Sequence, residues 1–393
     1  MLKLPIEVIL LICSILLFLS ILLSKFTHKL GVPTLLGFLL LGLVFGNGGE
    51  YDFHYDYPEF TLRLGQIALS IILFTGGLNT EIEQIRPVMR QGLTLATVGV
   101  AITALVAGTS IYWLTSLDFP TSLLLGAIIS STDAAAVFSI LEAKGMKLSG
   151  KIFPTLELES GTNDPMAYFL TISLSAFILE GGEFPVWAFL GKLAYSMGVG
   201  ALTGVGMGYL TTLALRILKL KVGLTPVLVI TIILFIFSLM ELVGGNSLLA
   251  VYTAGIVFGN YKRNASYIAN FFEGISWLME IILFLTLGLQ IFIQDLPEVF
   301  WIGMIVSSVL MFVARPISVF VSLAFFKATS KEKLYISWVG LRGATPIVFA
   351  LYPVLYQVPE ANLLFNISFF VVLTSILLQG STISVVAKWL KVI

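Results

Sequence analysis

The sequence predicts an all-α polytopic membrane protein. Of its 393 residues, 58% are hydrophobic and 11% are charged, whereas soluble domains hold about 45–50% apolar and about 25% charged residues. A soluble protein of this size could not cover so much apolar surface with so few charges. The apolar residues form continuous runs of roughly 20 residues, the length of a membrane-spanning helix. A transmembrane β-barrel is excluded, because its strands alternate in polarity over about ten residues.

Composition also excludes other classes of protein. The single cysteine, Cys13, rules out a disulfide scaffold, and the lack of low-complexity runs rules out a disordered or collagen-like chain. The 22 Lys and Arg residues balance the 22 Asp and Glu residues, so a basic nucleic-acid-binding surface is not expected.

About thirteen transmembrane helices are predicted, separated by short polar or Gly/Pro-rich breaks. Their approximate spans are 6–26, 31–47, 62–80, 87–115, 120–142, 153–180, 185–216, 223–243, 247–260, 267–294, 298–326, 333–357 and 361–387. The ninth is short enough to be tilted or only partly spanning. The first is expected to be retained, because its apolar stretch is too long for a signal peptide and no cleavage site follows.

The distribution of charge predicts the orientation, because cytoplasmic loops are enriched in Lys and Arg. Most basic residues follow odd-numbered helices, at Lys25, Lys29, Arg86, Arg90, Lys144, Lys147, Lys151, Arg216, Lys219, Lys221, Lys262, Arg263, Lys327, Lys331, Lys333, Lys388 and Lys391. The other loops carry Glu50, Asp52, Asp56, Glu59, Asp118, Glu180, Glu183, Asp295, Glu298 and Glu360. We expect an outside N-terminus and a cytoplasmic C-terminus.

Several ionisable residues fall inside the predicted spans. They are Asp133, Glu157, Glu159, Asp164, Glu241, Glu280, Arg315 and Arg342. A charge at the bilayer centre costs about 2.5–3.5 kcal/mol, so such residues face a cavity or a partner. Structural ion pairing and a functional role are equally open for Arg315 and Arg342. Glu241 and Glu280 lie outside any polar cluster, which favours a structural or interfacial role.

Helix five is interrupted by a polar segment at residues 129–136 (ISSTDAAA), which contains Thr132 and Asp133. Hydroxyl side chains compete for backbone hydrogen bonds, and small residues allow close packing. This composition predicts a break in the helix at mid-membrane.

Helix six carries a second polar segment at residues 157–166 (ELESGTNDPM). At 100° per residue, Glu157, Ser160 and Asp164 share one face. Pro165 lacks a backbone donor, frees a carbonyl one turn earlier and is predicted to break the helix. Carboxylates, hydroxyls and free carbonyls suit a hard cation. A buried carboxylate can also hold a proton, so one site could bind either ion.

Helix twelve has a similar break at residues 340–346 (GLRGATP), with Gly343 and Pro346 as helix breakers. If helices 1–6 and 8–13 form two inverted six-helix repeats, each break falls in the fifth helix of its repeat. Broken helices at corresponding positions indicate a transporter site at the repeat interface. Arg342 would offset the dipole ends of these crossing helices or pair with Glu159.

These segments resemble cation/proton antiporters of the NhaP type, the prokaryotic relatives of animal sodium/proton exchangers. Residues 131–138 (STDAAAVF), 157–165 (ELESGTNDP) and 340–344 (GLRGA) carry the resemblance, which covers the whole chain in helix count and orientation. The residues of these motifs are similar to those of the potassium/proton antiporter subgroup. Many of its members carry a cytoplasmic sensing domain after the last helix.

The resemblance implies a transporter in the cytoplasmic membrane, with K⁺ or Na⁺ and H⁺ as substrates and no cofactor. Asp164 would bind cation and proton alternately. Further site residues would be Ser160, Asn163, Asp133 and the Thr132 main chain. Structural ion pairs in the core would involve Glu159, Arg342, Glu157 and Arg315.

The same resemblance implies a homodimer of two-part subunits. Scaffold helices 1–3 would lie in 1–86, core helices 4–6 in 87–182, scaffold helices 7–10 in 183–296 and core helices 11–13 in 297–393. No soluble domain is expected within this sequence. Relatives often have an acidic residue where residues 73–77 (LFTGG) place Thr75, which leaves the preference between K⁺ and Na⁺ open.

Two functions other than antiport are alternatives for this sequence. An intramembrane aspartyl protease would also need two aspartates on adjacent helices, but the Gly-x-Gly-Asp context is missing here. A passive cation channel would need a filter, and no filter-like run of carbonyls occurs. A single carrier carboxylate beside Asn163 predicts exchange of one proton for one cation.

Overall fold

The computed structural model describes residues 5–30, 34–48, 54–181, 184–261 and 266–393. The described chain is almost entirely helical. The helices are α1 Ile6–Leu30, α2 Thr34–Phe45, α3 Pro58–Asn79, α4 Ile82–Leu114, α5a Phe119–Ile128, α5b Ala134–Ala143, α6 Ile152–Glu180, α7 Val186–Leu218, α8 Leu224–Val243, α9 Ser247–Tyr261, α10 Ser266–Gln290, α11 Ile293–Ser322, α12a Ser330–Trp338, α12b Thr345–Leu355 and α13 Ala361–Leu390.

Eight helices within the described ranges are long and apolar enough to cross a membrane. The shorter apolar helices are α2, α5a, α5b, α9 and α12b. The all-α membrane fold is therefore confirmed, whereas the count of thirteen crossings stays a prediction. The orientation also stays a prediction. Some charges on which it rests lie outside the described residues, namely Glu50, Asp52, Glu183, Lys262, Arg263 and the Lys29 side chain.

Both predicted interruptions occur where the sequence places them. Residues 129–133 separate α5a from α5b, and residues 339–344 separate α12a from α12b. Gly343 lies within the second interruption, as expected. Pro346 instead occupies the first turn of α12b, where a missing backbone donor leaves no hydrogen bond unmade. Pro346 thus starts a half-helix rather than ending one.

The predicted break at Pro165 is wrong. Helix α6 continues through this residue from Ile152 to Glu180. A proline removes one donor, and neighbouring helices in a membrane bundle can satisfy the backbone groups nearby. Here the Asn246 side chain donates to the Pro165 carbonyl oxygen at 2.8 Å. Packing from the neighbouring segment supports the helix where its sequence alone predicts a break.

The helices pack as two groups. In one, α2 and α3 pack on α10, α3 and α7 pack on α9, and α1 packs on α2. In the other, α4 packs on α5a and α6, and α11 and α12b pack on α13. Contacts between the groups join α3 to α12b, and α6 to α7 and α9. We name these the scaffold group (α1–α3, α7–α10) and the core group (α4–α6, α11–α13). Their relative movement stays a prediction.

Glycines allow a close crossing of α3 and α9 in the scaffold group. A Cβ atom added at Gly77 would collide with the Tyr252 carbonyl oxygen, and one at Gly255 would lie 2.5 Å from the Phe74 carbonyl oxygen. Small residues bring helix backbones together in membranes, where dispersion contacts drive association. The adjacent Gly76 has nothing within 4 Å of such an atom.

Gly77→Ala is expected to destabilise the protein by about 1–3 kcal/mol, because a buried methyl group would force α3 away from α9. The temperature of unfolding in detergent measures this loss. Gly76→Ala is the matched control, since it makes the same change one residue away in open space. Equal unfolding temperatures for the two variants would contradict the close crossing.

Candidate ion-binding site

The two interruptions meet inside the core group. The Asp133 backbone N–H donates to the Leu341 carbonyl oxygen at 2.8 Å, which links them directly. The Arg342 side chain donates through Nη1 to the carbonyl oxygens of Ser131 at 2.7 Å and Ser130 at 3.3 Å. These carbonyls follow the C-terminus of α5a, whose dipole favours a positive charge. Arg342 therefore stabilises the first interruption from the second.

Helix α6 contacts the same interruption. Asn163 Nδ2 donates to the Thr132 carbonyl oxygen at 3.1 Å and to its hydroxyl at 2.5 Å. The Ala134 N–H donates to Ser160 Oγ at 3.0 Å. Three of the predicted site residues, Thr132, Ser160 and Asn163, are thus brought together, and each satisfies the backbone or hydroxyl groups of the break.

Asp133 caps the half-helix that follows it. Its Oδ1 accepts the N–H groups of Ala135 at 2.9 Å and Ala136 at 3.3 Å. An aspartate at this position satisfies backbone donors and favours the positive end of the helix dipole. One carboxylate oxygen of this predicted site residue is therefore committed to the fold.

Asp164 is held differently, because its hydrogen bonds among the described residues come from hydroxyl groups. Its Oδ1 accepts from Ser131 Oγ and its Oδ2 accepts from Thr345 Oγ1 at 3.2 Å. Its exposed fraction is 7%. Each interruption thus supplies one hydroxyl to this carboxylate. A hydroxyl can rotate to offer its oxygen instead of its proton, so the same partners suit a charged, protonated or cation-bound carboxylate.

A cavity of about 910 Å³ leads to Asp164. Near the carboxylate it is lined by Thr132, Asp133, Ser160 and Thr345. Its walls extend to the exposed end of α5b at Glu142 and Lys144. Its other carboxylates are Glu157, Glu273 and Glu280, and Thr75 also lines it. The oxygen-rich lining suits a hard monovalent cation. The carboxylate at its inner end can also take up a proton.

Glu159 forms a buried ion pair with Arg315, not with Arg342. Arg315 Nη1 lies 2.6 Å from Glu159 Oε1, and both side chains are at most 3% exposed. The predicted ion pair between Glu159 and Arg342 is wrong, because Arg342 donates to the carbonyl oxygens of Ser130 and Ser131 instead. The three residues lie in different segments of the chain, so only the tertiary packing decides which guanidinium reaches Glu159.

Glu157 was predicted to take part in the core ion pairs, and the structure contradicts this. It lines the cavity beside Thr80, and no cationic group of the described chain lies within ion-pair distance of it. Glu241 has a structural role, accepting from the hydroxyls of Tyr168 at 2.8 Å and Ser247 at 2.7 Å. Glu280 lines the cavity, and its expected structural or interfacial role stays a prediction.

Two residues in direct contact with Asp164, Ser131 and Thr345, were not among the predicted ligands. Both lie in the polar segments that the sequence singled out, so composition located the segments without identifying which hydroxyl points at the carboxylate. Among the described residues, no group of three or more His, Cys, Asp or Glu could hold a resident metal ion.

Comparison with known proteins gives consistent matches. The profile of the sodium/hydrogen exchanger transmembrane family matches residues 12–389. The K(+)/H(+) antiporter NhaP of Alkalimonas amylolytica is 38% identical over 387 residues, which are 98% of this chain and 67% of that protein. The K(+)/H(+) antiporter NhaP2 of Shewanella oneidensis is 39% identical over 376 residues, 95% of this chain and 65% of that protein.

A solved structure has the same fold. The sodium proton antiporter MjNhaP1 from Methanocaldococcus jannaschii at pH 8 superposes with a TM-score of 0.83 at 25% identity, covering 96% of this chain and 97% of the other. The chain spans about two thirds of the length of the two potassium/proton antiporters. The resemblance to NhaP-type proteins is confirmed, and nothing in these matches supports a protease or a channel.

A double-mutant cycle tests the partner of Glu159. Glu159→Gln with Arg315→Met is expected to show a coupling energy of about 0.5–3 kcal/mol, as residues in direct contact do. Unfolding free energies measured in a denaturing detergent give this coupling. The matched cycle of Glu159→Gln with Arg342→Met should couple less strongly, because Arg342 contacts carbonyl groups. Stronger coupling to Arg342 would restore the pair expected from the sequence.

Proposed function

This chain belongs to the sodium/hydrogen exchanger family, and we propose that it exchanges protons for a monovalent cation across the cytoplasmic membrane. The family and the relatives above are transporters rather than enzymes. The observation that carries the proposal is the position of Asp164. It is a carboxylate at the inner end of a cavity, held by one hydroxyl from each interrupted helix.

Competition at Asp164 couples the two ions. The ionised carboxylate attracts a cation, and Ser160 together with the Thr132 main chain would complete an oxygen shell around it. Protonation neutralises the carboxylate and removes that attraction, so a cation and a proton would not be bound together. Asn163 and Asp133 keep the ligands in place through the hydrogen bonds that they make to the interruption.

The transported cation would be K⁺, Na⁺ or both. Two relatives are named potassium/proton antiporters, and the structural relative is a sodium proton antiporter. Thr75 lines the cavity and donates to the Ile71 carbonyl oxygen at 2.8 Å. A threonine there adds no charge to the site. Measured affinities for potassium, sodium and lithium ions would define the selectivity.

Transport would proceed by alternating access, with the core group moving against the scaffold group of a homodimer. The cavity opens at the end of α5b that carries Lys144. The charge distribution predicts that this end faces the cytoplasm. The conformation described here would then be the one in which Asp164 exchanges ions with the cytoplasm.

Asp164→Asn is expected to abolish exchange without unfolding the protein, because an amide is similar in size but cannot take up and release the proton. Vesicles loaded with a pH-sensitive dye report proton movement when sodium or potassium is added. Asp118→Asn is the matched control, since it makes the same change at an exposed aspartate outside the cavity. Full exchange by folded Asp164→Asn protein would remove this residue from the carrier role.

Exchange is expected to be electroneutral, because one carboxylate carries either one cation or one proton. Proteoliposomes should then show no current and no change in rate when a membrane potential is imposed. A voltage-sensitive dye in the same vesicles verifies that the potential was present. A current that requires both the cation and the proton gradient would show that more than one proton moves per cation.

A further inference from the structure

Glu157 lies in the approach to the carrier carboxylate. It shares one face of α6 with Ser160 and Asp164, and all three line the same cavity. Seven residues of helix separate Glu157 from Asp164, about 10 Å along the axis at roughly 1.5 Å per residue. A cation entering from the exposed end of α5b therefore passes Glu157 before it reaches Asp164.

The scaffold group presents two hydroxyl residues to this carboxylate. Thr80 follows the C-terminus of α3 and lies beside Glu157. Tyr252 of α9 lies close to both. Its ring packs directly on Gly161, where a Cβ atom would collide with it.

The Tyr252 hydroxyl is evidence for a ligand at this position. The residue is 2% exposed and lines the cavity, and its hydroxyl lies next to Thr80 without a hydrogen bond of normal geometry to any described residue. A buried hydroxyl without a partner costs about 1–3 kcal/mol, which a bound ion or its water would offset. This observation is independent of the charge on Glu157.

We propose that Glu157, Thr80 and Tyr252 form a second binding site for the transported monovalent cation, occupied on the way to Asp164. The proposal rests on the antiport function above and adds a loading step to it. A carboxylate and two hydroxyl oxygens are the ligand types that hard cations prefer. Glu81 also lies near Glu157 and adds negative charge there.

The site joins the two helix groups. Glu157 belongs to the core group, whereas Thr80 and Tyr252 belong to the scaffold group. Movement of the core would separate the three ligands, so the site would exist in the conformation with this cavity. A cation bound here would stabilise that conformation, because a ligand shifts an equilibrium by its difference in affinity for the two states.

Binding of radioactive rubidium and sodium to purified Asp164→Asn protein isolates the second site. We expect weak saturable binding of the transported cation to remain in this variant. Adding Glu157→Gln or Tyr252→Phe should reduce its affinity about tenfold, the loss of a charge-assisted contact. Adding Glu142→Gln should have little effect, although Glu142 also lines the cavity. Absence of saturable binding to Asp164→Asn, or equal binding by all three double variants, would overturn the proposal.

Exchange kinetics give a second readout in protein with Asp164 intact. Glu157→Gln should raise the half-saturating cation concentration about tenfold on the side where the cavity opens, and should leave the maximal rate unchanged. Glu142→Gln again serves as the control for a general loss of negative charge. Wild-type protein that does not exchange ions contradicts the proposed function itself. Wild-type exchange with an unchanged half-saturating concentration in Glu157→Gln contradicts the second site alone.

Discussion

The structure depends on one constraint, which is that two helices are interrupted within the membrane, where lipid cannot satisfy their backbone. In a bilayer, irregular backbone is tolerated only where the protein pairs its N–H and C=O groups or where it lines a cavity. Arg342 donates to two carbonyl oxygens that follow α5a. Asp133 accepts two backbone N–H groups at the start of α5b, and Ser160 accepts a third N–H group there. The interruptions also pair with each other, through Asp133 and Leu341. Polar residues are thus required here by the fold before any ion is considered.

This requirement separates the residues that support the backbone from Asp164, the proposed carrier. Three side chains form hydrogen bonds with the backbone of the first interruption, namely Asn163, Arg342 and, through one oxygen, Asp133. Their loss would therefore affect the geometry of the site as well as its charge. Asp164 accepts from hydroxyl groups, which can rotate, and within the described part of the chain it satisfies no backbone group. A carboxylate with replaceable partners can bind and release ions repeatedly without disturbing the fold. That difference, rather than burial alone, distinguishes Asp164 from Asp133.

The sequence predicts the fold and the interruptions because both depend on local composition. Long apolar runs require helices, and a cluster of hydroxyls, glycine and alanine inside such a run breaks one. It does not predict that α6 continues through Pro165, because a side chain from outside α6, that of Asn246, donates to the Pro165 carbonyl. It also does not decide between Arg315 and Arg342 as the partner of Glu159, or identify Thr345 as a contact of Asp164. These choices depend on side-chain distances between helices far apart in sequence.

The contacts between the helix groups differ on the two sides of Asp164. Beyond it, Gln66 donates to the Tyr352 hydroxyl and Tyr168 donates to Glu241, each at 2.8 Å, so direct hydrogen bonds close the interface. On the other side, Glu157 and Tyr252 line an open cavity. Each closing bond contributes about 0.5–1.5 kcal/mol net, or about 1.5–3 kcal/mol where a carboxylate accepts it. Coupling between binding and conformation is reciprocal. A ligand that binds one arrangement of the two helix groups more tightly than the other would therefore shift this interface by its difference in affinity.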